Sequence, residues 1–123
     1  MGLPSARRLK RRSEYDAVRT GGRRVHSGPF ILQLRISGGE ASPKVGIVAS
    51  RRVGNAVIRN RGKRLVRELF RRHEALLPKG GELVVVLRAG FDCRGFGELE
   101  QYFVRGCRRL AAGDAPPPEE ARK

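Results

Sequence analysis

The sequence predicts one mixed α/β domain, and three observations predict it. Short stretches read as strands, either alternating apolar and polar residues (FILQLRI) or running apolar with β-branched residues (KVGIVAS, ELVVVL). Two longer stretches space their apolar residues at three and four, as helices packed on a core do. A chain of 123 residues suits a single modest core, and neither an internal repeat nor a linker divides it.

The start, MGLPSARRLKRR, is polar and basic, and residues 1–12 are expected to be flexible until a partner is met. SEYDAVRTGG then reads as a short helix. Ser13 is placed to cap it, Glu14 and Asp16 suit the positive end of its dipole, and Gly21 and Gly22 stop it. RRVHSGPFILQLRIS reads as strand up to the turn GGEASP. In it Phe30, Leu32, Leu34 and Ile36 belong to the core. Ile31, Gln33 and Arg35 face the other way, toward water or a ligand. KVGIVAS follows as a central strand. Asn55, after Gly54, is a credible cap for a helix from Ala56 to about Leu76, ending before Pro78. ELVVVLRAG is a buried strand, and GFGELEQYFVRGCRRLAAG is a last amphipathic helix with Leu99, Phe103 and Leu110 on one stripe and Tyr102 beside it. DAPPPEEARK has too little apolar content to pack, so residues 113–123 are expected to be a disordered tail.

Charge is the dominant compositional fact: 27 Lys and Arg face 12 Asp and Glu, a formal net charge of +15. Such an imbalance points to phosphate, since counterion release makes nucleic acid a sink for clustered cations. An acidic membrane surface is the competitor, and it usually calls for a basic amphipathic helix bearing large apolar anchors. With neither a signal-peptide pattern nor a run of about 18 apolar residues, a cytoplasmic location is expected.

The charge concentrates in SRRVGNAVIRNRGKRLVREL, where Glu68 is the only acid. On a helical wheel Ile58, Gly62, Leu65, Val66, Leu69 and His73 gather on one side, with Phe70 at the margin. Opposite lies a row at i, i+4, i+8 and i+12: Arg59, Lys63, Arg67 and Arg71, widened by Asn60 and Arg64. A disordered tail has no reason to sort its residues so. A merely solvated face would mix its signs, because like charges four apart cost a few tenths of a kcal/mol each. The row therefore reads as a phosphate-binding face. Arg59 and Arg61 set guanidinium forks on either side of Asn60 near a helix start whose free N–H groups favour anions. No second helix with a tight turn precedes it, so folded RNA is a better fit than duplex DNA read in the major groove.

Catalytic chemistry finds little support. Glu14 and Asp16 share one helix, Glu98 and Glu100 another, and neither pair has a His or a third carboxylate nearby. His26 and His73 are far apart in sequence, and His73 on the apolar stripe reads as a core-edge residue. Cys93 and Cys107 match no metal spacing and read as reduced thiols. No protein-borne active site, metal or cofactor is expected.

The stretch SRRVGNAVIRNRGKRLVRELFR, with RNR at Arg59 to Arg61, closely resembles the signature of the bacterial ribonuclease P protein subunit. RLKRRSEYDAVRTGG, FILQL and KVGIVAS precede it in the family's order and spacing, and the likeness spans about residues 8–110. The resemblance implies an α+β fold, a compact two-layer αβββαβα sandwich of ribosomal-protein type. Its sheet has about four strands, and the basic helix lies in a left-handed βαβ crossover, a rare hand. It further implies that a catalytic RNA removes the 5′ leader of precursor tRNA with magnesium that the RNA requires, while the protein binds both RNAs. Carried over by position, Arg51, Arg52, Asn55, Arg59, Asn60, Arg61, Lys63, Arg64 and Arg67 would face the catalytic RNA and substrate junction, with Arg71 continuing the row. Tyr15, Ile31 and Gln33 would line a leader cleft between the first helix and the sheet. Two positions depart from the pattern: Arg19 stands where the family often has a second aromatic, and Gln33 where it often has Tyr. Leader binding is therefore expected to lean on the charges of Arg19 and Arg35 more than on stacking, which is worth about 1–3 kcal/mol per base. A structural RNA-binding protein of ribosomal type is the alternative that charge and size equally allow. A self-sufficient nuclease lacks its carboxylate cluster.

Overall fold

The computed structural model describes residues 5–113. Its elements are α1 (Arg12–Gly21), β1 (Arg23–Ser27), β2 (Phe30–Ile36), β3 (Lys44–Val48), α2 (Ala56–His73), β4 (Gly81–Leu87) and α3 (Phe96–Ala111), the αβββαβα order that the resemblance implies. The sheet runs β1-β2-β4-β3. β1, β2 and β4 pair antiparallel, while β3 and β4 lie parallel, joined through α2.

The alternation in β2 sorts the sheet into two faces. Phe30, Leu32 and Leu34 share one with Val25, Leu83, Val85 and Leu87, and this face carries the main core. α2 adds Val66, Leu69 and Phe70 to it, and α3 adds Leu99, Phe103, Cys107 and Leu110. Phe30 and Phe103 meet edge to face at 6.1 Å, a geometry worth about 0.5–1.5 kcal/mol beyond area. The second face is not bare. α1 lies over part of it, where Val18, Val84 and Leu9 form a smaller buried cluster flanked by Tyr15 and Val86.

Three boundaries differ from the sequence reading. RRVHSGPFILQLRIS, expected as one strand, is two, folded back at Gly28 and Pro29, where Gly28 has φ +57°. Pro29 cannot donate a ladder hydrogen bond and Gly28 tolerates the left-handed turn, so the hairpin forms there. Ser13 is not the cap of α1. The helix starts one residue before it, and the Glu14 carboxylate accepts from the N–H groups of Lys10 (2.7 Å) and Arg11 (2.9 Å). α2 ends at His73 rather than Leu76, and Glu74–Leu76 tighten into a 3-10 turn.

The largest correction concerns residues 5–12, expected to be flexible. Arg8 bridges to Val45 beyond the edge of the sheet, and Leu9, only 4% exposed, donates its N–H to the Val45 carbonyl at 2.9 Å. Arg7 donates to the Pro43 carbonyl, pairs with Glu74 and lies over the Phe70 ring. Leu9 and Arg7 together seat the segment. Residues 1–4 and the expected tail beyond Gly113 lie outside the described residues.

α2 approaches the sheet closely because Gly62 faces it. A Cβ there would lie 2.6 Å from Leu87 Cδ1 and 2.8 Å from Phe91 Cζ. Gly62→Ala should therefore destabilise by about 1–3 kcal/mol through overpacking, although alanine is ordinarily the better helix former. Gly97→Ala, with open space around it in α3, should gain about 0.4–1 kcal/mol. Chemical denaturation midpoints of the two variants check the contrast in sign.

Candidate nucleic-acid interface

Three short devices set the start of α2. Arg51–Val53 form a 3-10 turn with Val53 buried and both arginines exposed. Gly54 follows at φ +152°, a backbone that side-chain-bearing residues rarely adopt. Asn55 then caps the helix as expected, its Oδ1 accepting from the Ile58 N–H at 3.0 Å. Arg59 is anchored back onto this turn, donating from Nη1 to the Gly54 carbonyl at 2.9 Å. Its other guanidinium donors make no hydrogen bond among the described residues.

Down the helix the apolar stripe is buried at Gly62, Val66, Leu69 and Phe70, and Arg59, Lys63 and Arg67 stand half-buried along the other side. Asn60, Arg61 and Arg64 are exposed beside them. None of these cations makes a carboxylate pair among the described residues. Arg71 differs. It and Arg72 share Glu68, at 2.7 and 2.8 Å, and the two guanidinium donors hold the Glu68 carboxyl down at about 2. The uncompensated part of the row thus ends at Arg67.

Lys63 and Arg67 reach a cavity of 140 Å³ closed by Arg8, Tyr15, Gly46 and Ile47. The hydroxyl end of the Tyr15 ring packs on Gly46, so close that a Cβ there would sit 2.6 Å from Cζ. The Tyr15 hydroxyl donates to the Leu9 carbonyl (3.4 Å) and accepts the Ile47 N–H (3.3 Å). The structure therefore brings the basic row and the first candidate cleft residue to one place. Sequence reasoning missed Arg8 and Gly46. A glycine between β-branched residues in a strand does signal close approach by another group, and VGIV carried that signal.

The other candidate cleft residues fare unequally. Ile31 lies on the second face as expected, aligned across the ladder with Val86 and, beyond it, Val48. Val48 is exposed and the other two half-buried, so this row is an uncovered apolar strip. Gln33 shares the face but is only 8% exposed, because α1 crosses the sheet over its partner Val84. It is buried floor, not cleft wall. Arg19 and Arg35, expected to carry the leader's charge, are already compensated: Arg19 pairs with Asp16 at 3.1 Å and Arg35 with Glu82 at 2.8 Å.

The histidines stay apart. His73 sits at the core edge, its Nε2 2.7 Å from Glu100 Oε2 and its ring beside Phe103, while His26 is exposed on β1. Among the described residues no three His, Cys, Asp or Glu side chains converge as a metal site. No described helix is long and apolar enough to cross a membrane. Both cysteines are free, Cys93 exposed and Cys107 buried.

The sequence model of the ribonuclease P family matches residues 3–111. The chain belongs to the ribonuclease P protein family. Among curated ribonuclease P protein components, that of Geotalea uraniireducens is 44% identical over 108 residues, 88% of this chain and 94% of the relative. That of Brevibacillus brevis is 35% identical over 102 residues, 83% and 81% of the two chains. The solved ribonuclease P protein of Thermotoga maritima superposes with a TM-score of 0.75 at 30% identity, covering 84% of this chain and 96% of that one. The αβββαβα domain and its basic helix are thus those of the ribonuclease P protein component, and tRNA processing is its setting.

Two acids at this face titrate low. Backbone donors at Arg11 and Lys10 hold Glu14 below its usual range, and Glu68 falls from 4.5 to about 2. Both bind protons less readily in the folded chain, so the stability they add is present above about pH 4.5 and is lost as pH falls toward about 2. Denaturation midpoints measured across that range should decline, and Glu68→Gln should flatten the decline.

Proposed function

We propose that this chain acts as the RNA-holding, non-catalytic subunit of ribonuclease P. Its basic helix grips the catalytic RNA, and the uncovered strip beside Tyr15 receives the 5′ leader of precursor tRNA. The observation that carries this reading is the shared cavity: Lys63 and Arg67 from α2 meet Tyr15 from α1 over β3. One polyanion could pass from the signature row onto the sheet without leaving cationic or aromatic surface.

The division of labour follows from the side chains. Guanidinium forks at Arg59, Arg61, Arg64 and Arg67 suit phosphate oxygens bidentately, and Lys63 serves as a point charge between them. Ile31, Val86 and Val48 offer apolar area to a sugar or base, and the Tyr15 ring edges that path. Splayed single-stranded segments are recognised in this manner, by apolar and aromatic platforms beside a positive groove. With Arg19 and Arg35 paired internally, leader attraction falls to the α2 row. Among the described residues no three His, Cys, Asp or Glu side chains converge, and the magnesium that the resemblance assigns to the reaction would be held by RNA phosphates.

Protein, catalytic RNA and precursor tRNA incubated in magnesium should give mature 5′ ends efficiently at moderate magnesium only when all three are present. Cleavage by the protein alone would overturn the proposal, and no effect of the protein would favour a ribosomal-type structural role. Binding should weaken with salt at a log–log slope of about −3.5 to −4.5 if about five phosphates are contacted. Arg67→Ala should lower that slope by about one. Arg71→Ala should lower it less, since Glu68 already neutralises that side chain.

A further inference from the structure

One cationic cluster lies outside the signature helix and outside the cavity it shares with Tyr15. On β1, Arg24 and His26 point to the second face of the sheet, directly across the ladder from Gln33 and Ile31. On β4, Arg88 follows Val86 by two residues, and its N–H donates to the Pro29 carbonyl at 2.9 Å, continuing the β2–β4 ladder. Period-two alternation keeps Arg88 on the face of Val86. Ile31 is thus ringed by His26 beside it, Val86 on its other side, and Arg24 and Arg88 on the two diagonals. All three basic residues are exposed.

The cluster is set apart by its place around an apolar residue on the sheet face. Several arginines elsewhere find acids: Arg19 with Asp16, Arg35 with Glu82, Arg72 with Glu68, Arg94 with Glu98. Arg24 and Arg88 make no carboxylate pair among the described residues. Partial burial, with the charges of Arg24 and Arg88 added, holds His26 below its ordinary range. The free protein therefore carries like-charge repulsion here that an anion would relieve. An edge strand gains some protection from charge alone. Protection alone does not account for cations gathered on the sheet face around an apolar residue.

We infer that Arg24 and His26 extend the leader path across the sheet to β1, holding a phosphate of a leader nucleotide whose base or sugar rests on Ile31 and Val86, with Arg88 flanking. The inference rests on the leader reading above and assigns it a second, distal station. The row from Val48 through Val86 and Ile31 to His26 crosses four strands, about 14 Å at the usual strand spacing. Nucleotides near the cleavage junction would occupy its β3 end by Tyr15 and Lys63. Only a longer leader would reach β1.

The test uses the assembled holoenzyme with precursors bearing a leader of one nucleotide or of about eight, within the reach of a single-strand groove. The double variant Arg24→Ala/His26→Ala should bind the long-leader precursor severalfold more weakly, with a salt slope reduced by about one. It should bind the short-leader precursor as the parent does. Arg108→Ala, which removes an exposed charge from α3, should show no dependence on leader length. An equal loss at both lengths, no loss at either, or the same pattern in Arg108→Ala would overturn the β1 station. If the parent itself binds both precursors equally, the leader reading has failed and the station falls with it. If the parent discriminates but the double variant does so equally well, only the station fails.

Discussion

The molecule depends on one helix being held by its apolar side while its other side stays positive and unpaired. α2 is seated by Val66, Leu69 and Phe70 against the sheet and drawn close by Gly62. Burial of such side chains contributes about 1.5–3 kcal/mol each, against a few tenths of a kcal/mol for each like-charge neighbour at i, i+4. Packing wins by a wide margin, and so Arg59, Lys63 and Arg67 can remain without acids. A helix less firmly seated could not present so many uncompensated cations.

The distribution of acids follows the same logic. Glu68 satisfies Arg71 and Arg72 at the end of the row, and Glu82 satisfies Arg35 on the sheet. The first three turns of α2, the cavity they share with Tyr15 and the far end of the uncovered strip keep cations without acids among the described residues. The acids at Glu68 and Glu82 thus bound the unpaired row without neutralising it.

Much of this was legible in the sequence. The 3.6-residue spacing of Ile58, Gly62, Val66 and Leu69 gave the helix its orientation before any coordinates, and the period of two in FILQLRI assigned Ile31 and Arg35 to the second face. Asn55 as cap was readable because its side chain bonds locally. What was not readable depended on partners distant in sequence. Whether Gln33 lies open or covered depends on where α1 crosses, and whether Arg35 is free depends on Glu82, 47 residues on. Leu9 seats the first segment through Val45, a pairing no local pattern announces. The hairpin signal lies in Gly28 and Pro29 themselves, a left-handed turn residue and a residue without a ladder donor.

The two thiols have a practical consequence. Cys107 is enclosed in the core, where burial pushes its thiol up to about 12, so it stays a protonated, unreactive filler at neutral pH. Cys93 is exposed at the end of the 3-10 turn Phe91–Cys93, and the Phe91 of that turn touches α2 at Gly62. The native chain therefore offers a maleimide dye a single attachment point close to the basic helix, ready to report RNA docking by fluorescence without an engineered cysteine.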